Sequence, residues 1–199
     1  MKRQGLDKAE FRLESARHAL DIAGKATKHL EFYKNWSDFL SHLDAIYNCL
    51  GQSLGGQSES KIFFDRMIRD RKQDQTLNYF WHARNSDNHG IEKPAEFREG
   101  QLKVGGGDPN HNSRVHSVSF STVPGEEFLS VTPMDDKPVR LEILPPRYDL
   151  LPVVDRGVTY QPPTVHQGRR FETDSAIEIG GFALAYFRRK LTDARSLCH

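Results

Sequence analysis

The stretch Asp74 to Gly90, DQTLNYFWHARNSDNHG, decides the reading of this chain. Asp74 is a good helix N-cap, Leu77, Phe80, Trp81 and Arg84 follow at helical spacing, and His89-Gly90 supplies an ending with Pro94 beyond it as a stop. Arg84 lies three residues after Trp81, four after Phe80 and seven after Leu77, so periodicity places a cation on the apolar stripe. An unpartnered buried guanidinium is costly, so Arg84 must meet a carboxylate or face a cleft that an anion can enter. Asn85 and His89 share a neighbouring face, and His82 and Asn78 continue that row towards the helix start. Arg84 and His89 are separated by about 140° around the axis, so one chain cannot easily close both on one small group, whereas two copies about a dimer axis can.

Working outward, the flanking sequence predicts more helices. Leu6, Leu13, Ala16, Leu20 and Ala23 recur at helical spacing from Leu6 to about Thr27. A second helix is expected from Asn35 as N-cap, carrying Trp36, Phe39, Leu40, Leu43, Tyr47 and Leu50, and ending at Gly51. Gly51 to Ser60 reads as a flexible connection that holds no core residue. A third helix, Ser60 to Lys72, pairs Phe63 with Met67 and Phe64 with Ile68. After Gly100 the helical period vanishes, and short runs rich in Val, Phe, Ile and Thr predict strands at Val115 to Val123, Phe128 to Thr132, Val139 to Leu144 and Val153 to Tyr160. Short connections make these antiparallel. The helical pattern returns from Thr173 to about Ser196 with Ile177, Phe182, Ala185, Tyr186 and Leu191. The expected architecture is a mainly α single domain, 1–199. Its helical core of four to five helices spans 5–92 plus 173–196, with a small antiparallel β insertion, 101–165, before the C-terminal helix.

The 28 Lys and Arg nearly cancel the 27 Asp and Glu, leaving a net charge of +1, so no whole-molecule field draws nucleic acid or anionic membrane and any such binding needs a local patch. Two cysteines, Cys49 and Cys198, give neither a disulfide framework nor a four-thiolate site, which suits a reducing compartment. The first residues run into an amphipathic pattern without the apolar stretch of a secretory signal or membrane span, so the cytoplasm is the expected location.

The chemistry suited to Arg84, Asn85 and His89 is phosphoryl ester cleavage. Arginine stabilises extra charge on phosphate by bidentate hydrogen bonds, histidine moves protons near neutral pH, and asparagine can hold a phosphate oxygen, a ribose or the imidazole. His82 and Asn88 are the expected substrate-binding residues beside them, and the scheme needs no metal or other cofactor.

Arg84 to Gly90 also resembles the Arg-polar-x-x-x-His signature, often followed by Gly, of the HEPN superfamily of helical ribonucleases and toxins. The resemblance implies a helical bundle, dimerisation through the motif-bearing helices, and metal-independent RNA cleavage using the ribose 2′-hydroxyl. It makes Arg84 and His89 the catalytic pair and Asn85 the assisting polar residue, and it implies an antitoxin or nucleotidyltransferase as a partner in some relatives. Asp87 and Asn88 stand where many relatives carry apolar residues. The similarity covers these residues and the general helix pattern of the first ninety and last twenty-five.

A purely structural account stands beside this one. His89 and Gly90 can simply finish a helix, and Arg84 can pair with Asp87, Asp65 or Asp70. The chain would then be a non-catalytic helical binding or scaffold protein dimerising through the same helices. Elsewhere, Gly105-Gly106-Gly107-Asp108 lacks the Lys-Ser/Thr ending of a phosphate loop. His111, His116 and His166 match no tetrahedral metal signature. Arg66, Arg69, Arg71 and Lys72 interleave with Asp65, Asp70 and Asp74, as a solvated helix face does.

Overall fold

The computed structural model describes residues 1–55, 58–89, 93–106, 115–123, 126–133 and 139–198, with the side chains of residues 88, 89, 102–106, 115–123, 126–131, 133 and 139–141 outside the description. The described residues form five helices and ten short strands, paired two by two. They divide into a helical unit, 1–97 with 147–199, and a second unit, 98–146.

In the helical unit, α1 (Arg3–Lys25) buries Leu6, Ala9, Leu13, Ala16, Leu20 and Ala23 along one stripe, as their spacing dictates. Helix α2 (His29–Gln52) packs along it and buries Trp36, Phe39, Leu43 and Leu50. α2 starts six residues before the expected Asn35. The apolar stripe extends back to fully buried Phe32, and Asn35 turns its side chain to donate to Glu31 O at 2.8 Å from inside the helix. The connection to α3 (Ser58–Gln73) was expected to hold no core residue, yet Ser53 and Ser60 are both buried. Ser53 O accepts from Lys2 N at 2.8 Å, and Ser60 Oγ accepts from the Met1 amino group at 3.0 Å. Short polar residues here satisfy backbone and terminal groups that the helix packing buries.

Helix α4 (Gln75–His89) starts where expected, because Asp74 Oδ1 accepts from the backbone N–H groups of Thr76 and Leu77 at 3.1 and 3.0 Å. Phe80 meets Trp36 and Phe39 edge-on at 5.7 Å, which fixes α4 against α2. The last helix, α5 (Ala176–Arg195), is capped by Ser175 and buries Ile179, Ala183, Tyr186, Phe187 and Leu191.

The β segment is more divided than the sequence suggests. β1 (Ala95–Arg98) pairs with β6 (Arg147–Leu150). In the second unit β2 (Gln101–Gly106) pairs antiparallel with β5 (Val139–Leu144), and β3 (Val115–Val123) with β4 (Glu126–Pro133). The expected strand Val153 to Tyr160 is instead a tight hairpin of β7 (Val153–Asp155) and β8 (Val158–Tyr160), turning at Arg156 (φ 52°) and Gly157 (φ 79°). A second hairpin, β9 (Val165–His166) with β10 (Arg169–Arg170), turns at Gln167 (φ 49°) and Gly168 (φ 78°). Two successive positive φ values are the signature of the primed turns that match strand twist. Thus the expected insertion 101–165 is split, and its strands from Arg147 onward belong with the helices.

Those strands cover a second side of α4. Tyr79 Oη donates to Leu151 O at 2.6 Å and Thr76 Oγ1 to Val165 O at 3.2 Å. Tyr79 is therefore as buried as Phe80, though only Phe80 lies on the apolar stripe.

Candidate functional site

Helix α4 presents its polar row to the β7–β8 hairpin. His82 is buried, its Nδ1 lies 2.8 Å from Asp155 Oδ2, and its ring stacks on Tyr160 with centroids 3.4 Å apart. Asn85 donates from Nδ2 to the same Asp155 oxygen at 3.1 Å. Burial alone would raise the Asp155 carboxyl, but the hydrogen bonds from His82 and Asn85 outweigh it and hold the group below the ordinary carboxylate range. His82 and Asn85 are thus gathered on one carboxylate and not turned together towards open solvent.

Arg84 sits on the other side of the helix. Its side chain is 36% exposed, and it meets the carboxylate of Asp44 on α2, with Nη2 3.6 Å from Oδ2. Nη1 donates to Asn85 Oδ1 at 3.4 Å, and Nε is buried without a hydrogen-bond partner. None of the carboxylates expected for Arg84 holds it. Asp87 accepts from Ser37 Oγ, Asp65 pairs with Lys61 at 3.6 Å, and Asp70 accepts from Tyr186 Oη at 3.1 Å and Lys190 Nζ at 2.9 Å. Among the described residues the guanidinium is therefore held by one long ionic contact and one long hydrogen bond.

Asn85 links the two halves of this arrangement, with its amide nitrogen on Asp155 and its oxygen facing Arg84. The sequence brought forward Arg84, Asn85 and His82, and the fold places them within one turn of each other. Asn88 and His89 continue α4, and their side chains lie outside the described residues. Asp44, Asp155 and Tyr160 were not singled out, because they come from elements 40 or more residues away and carry no local signal.

Between α2, α4 and α5 lies a small slot of about 20 Å3, lined by Leu43, Leu77, Phe80, Trp81 and Phe187, with Asp44 among its walls. The Arg71 guanidinium lies 4.9 Å from the ring centres of both Tyr47 and Trp81, which fixes Trp81 at the slot.

Of the three histidines expected as a possible metal site, His166 alone has a described side chain. His166 Nδ1 lies 2.9 Å from Asp74 Oδ1, while His111 and the His116 side chain lie outside the described residues. Among the described residues no group of three or more His, Cys, Asp or Glu is placed to hold a metal ion. No described helix is long and apolar enough to cross a membrane. The loop from Gly107 to Asp108 also lies outside the described residues.

No protein-family model matches the sequence, and no curated protein or solved structure matches it either.

Proposed function

We propose that the chain is a HEPN-like, metal-independent endoribonuclease of the toxin or defence type, acting in the cytoplasm as a homodimer. The observation that carries the reading is the incomplete pairing of Arg84, a cation on an apolar stripe whose only carboxylate contact among the described residues is 3.6 Å long and whose side chain reaches solvent. An incoming phosphate offers it the short bidentate hydrogen bonds that Asp44 does not. Asn85 orients the guanidinium from one side.

In this scheme the ribose 2′-hydroxyl attacks phosphorus, its proton passes to the imidazole of His89, and the bond to the 5′-oxygen breaks. The leaving oxygen takes a proton from the second His89 of the dimer, leaving a 2′,3′-cyclic phosphate. Arg84 carries the extra charge of the pentacoordinate state. Two copies are needed because Arg84 and His89 diverge by about 140° on one helix. Asn88, beside His89, contacts the substrate, and an antitoxin or nucleotidyltransferase would restrain the activity.

A second reading is favoured by the commitment of His82 and Asn85 to Asp155: a polar row used for packing suits a non-catalytic binding or scaffold protein. One experiment separates the two. Purified protein is incubated with total RNA in EDTA beside its Arg84→Ala and His89→Ala forms. The nuclease reading expects cleavage that both substitutions abolish while circular dichroism stays unchanged. The scaffold reading expects no cleavage by any of the three.

A further inference from the structure

We propose that Asp44 is a specificity-determining residue that restricts Arg84 to monoanionic phosphodiesters, so that the site takes an internal phosphate of an RNA strand and turns away a terminal phosphate dianion. The inference rests on the reading of Arg84 as the phosphate ligand and adds the charge state of the phosphate it accepts.

The guanidinium has one edge to offer. Nε is buried, while Nη1 and Nη2 carry the long contacts to Asn85 Oδ1 at 3.4 Å and Asp44 Oδ2 at 3.6 Å. A phosphate that binds through two hydrogen bonds must therefore meet Nη1 and Nη2, which brings it beside the Asp44 carboxylate. Asp44 has little freedom to withdraw. Its side chain is only 17% exposed, and the amide of Asn48, one turn further along α2, donates to the same Oδ2 at 3.3 Å.

Charge arithmetic then separates the ligands. A bare guanidinium favours a dianion because attraction grows with the charge of the ligand, but repulsion from a carboxylate beside it grows in the same proportion and cancels much of that advantage. Stripping water from the ligand works against the dianion too, since that cost rises faster than the charge. An internal phosphodiester carries one negative charge, whereas a terminal phosphomonoester carries nearly two at neutral pH. The diester is the ligand that this pair of side chains suits.

The test is titration of the full-length protein, at one ionic strength, with a dinucleoside phosphodiester whose 2′-hydroxyl next to the phosphate is replaced by hydrogen to block cleavage, and with the matching nucleoside 3′-monophosphate. Binding is read from the guanidinium N–H resonances of Arg84, assigned with Arg84→Met. At neutral pH the parent is expected to bind the diester at least as tightly as the monoester. Asp44→Asn, which keeps an acceptor for Asn48, is expected to bind the diester about threefold and the monoester about tenfold more tightly, because the repulsion removed scales with ligand charge. The parent alone carries a second readout: at about pH 5, where the monoester holds a single charge, its affinity is expected to rise to that of the diester. A monoester bound more tightly than the diester by the parent, an equal gain or no gain for both ligands in Asp44→Asn, or a ratio unmoved by pH overturns the proposal. Those outcomes with RNA still cleaved remove the role of Asp44 and leave the nuclease standing. The expected selectivity without cleavage of any RNA has the reverse meaning, and no response of Arg84 to either ligand overturns both.

Discussion

His82 Nδ1 and Asp155 Oδ2 stand 2.8 Å apart, and at the start of the same helix the arrangement recurs with its partners exchanged, Asp74 Oδ1 on the helix side and His166 Nδ1 2.9 Å away on the hairpin side. Asp155 immediately precedes the Arg156-Gly157 turn, and His166 immediately precedes Gln167-Gly168. Each hairpin thus grips α4 with the residue at the mouth of its turn. Both pairs are almost wholly buried, so each carboxylate is an acceptor whose loss leaves a stranded partner.

Asp155→Ala is therefore expected to destabilise the protein by about 1–3 kcal/mol at neutral pH, as measured by urea unfolding. Asn85 and His82 would lose their common acceptor at once.

The pH dependence follows from the same pairs. For Asp74, burial would raise the carboxyl, but hydrogen bonds from His166 and from the backbone of Gln167 and Leu77 bring it below its usual value, as His82 and Asn85 do for Asp155. A carboxyl whose pKa is depressed by folding contributes stability above its unfolded value of about 3.9 and loses it as pH falls through the folded value. Unfolding midpoints are thus expected to decline below about pH 4, and the decline to be shallower in Asp74→Asn and Asp155→Asn. An equally steep acid limb in both variants would show that neither carboxylate is linked to folding.

Arg84→Met should leave stability within about 1 kcal/mol of the parent, because its ion pair is long and partly solvated. RNA cleavage should be lost completely. Thermal melts and a cleavage assay on one preparation read both effects.

The two hairpin turns offer a gain. Arg156 and Gln167 hold left-handed φ values that Asn adopts more readily, so Arg156→Asn and Gln167→Asn should each raise the melting temperature, by roughly 0.5 kcal/mol of stability. Gly157→Ala should lower it, by about 1–2 kcal/mol.

At the crossing of α1 and α2, a Cβ added at Gly5 would lie 2.2 Å from Ser53 Cβ. Gly5→Ala is expected to cost about 1–3 kcal/mol in urea unfolding, since the clash falls close to the backbone and not on a movable side-chain tip.

The helices were legible because burial follows their 3.6-residue period, from Leu6 to Ala23 on α1 and from Trp36 to Leu50 on α2. The start of α2 was not, because Lys28 makes no side-chain cap and Asn35 resembles one. The turn inside the expected strand Val153 to Tyr160 escaped notice because Val153-Val154-Asp155-Arg156-Gly157-Val158 lacks the Asn-Gly or Asp-Gly pair that marks a two-residue turn. Arg84 stood out in the sequence since it breaks its own stripe. Its partner Asp44 and the hold of Asp155 on His82 did not, because pairings across 40 and 73 residues are set by tertiary packing and leave no trace in local spacing.

The pairing of β1 with β6 means that the chain departs from the helical unit and rejoins it at the same doorstep. Closing a long excursion between such anchored ends costs only logarithmically more than closing a short one. The helical unit should accordingly be indifferent to what is spliced between Arg98 and Arg147. A two-residue Asn-Gly bridge in that place should preserve its cooperative unfolding, and foreign modules grafted there should be tolerated while the grip on α4 stays unchanged.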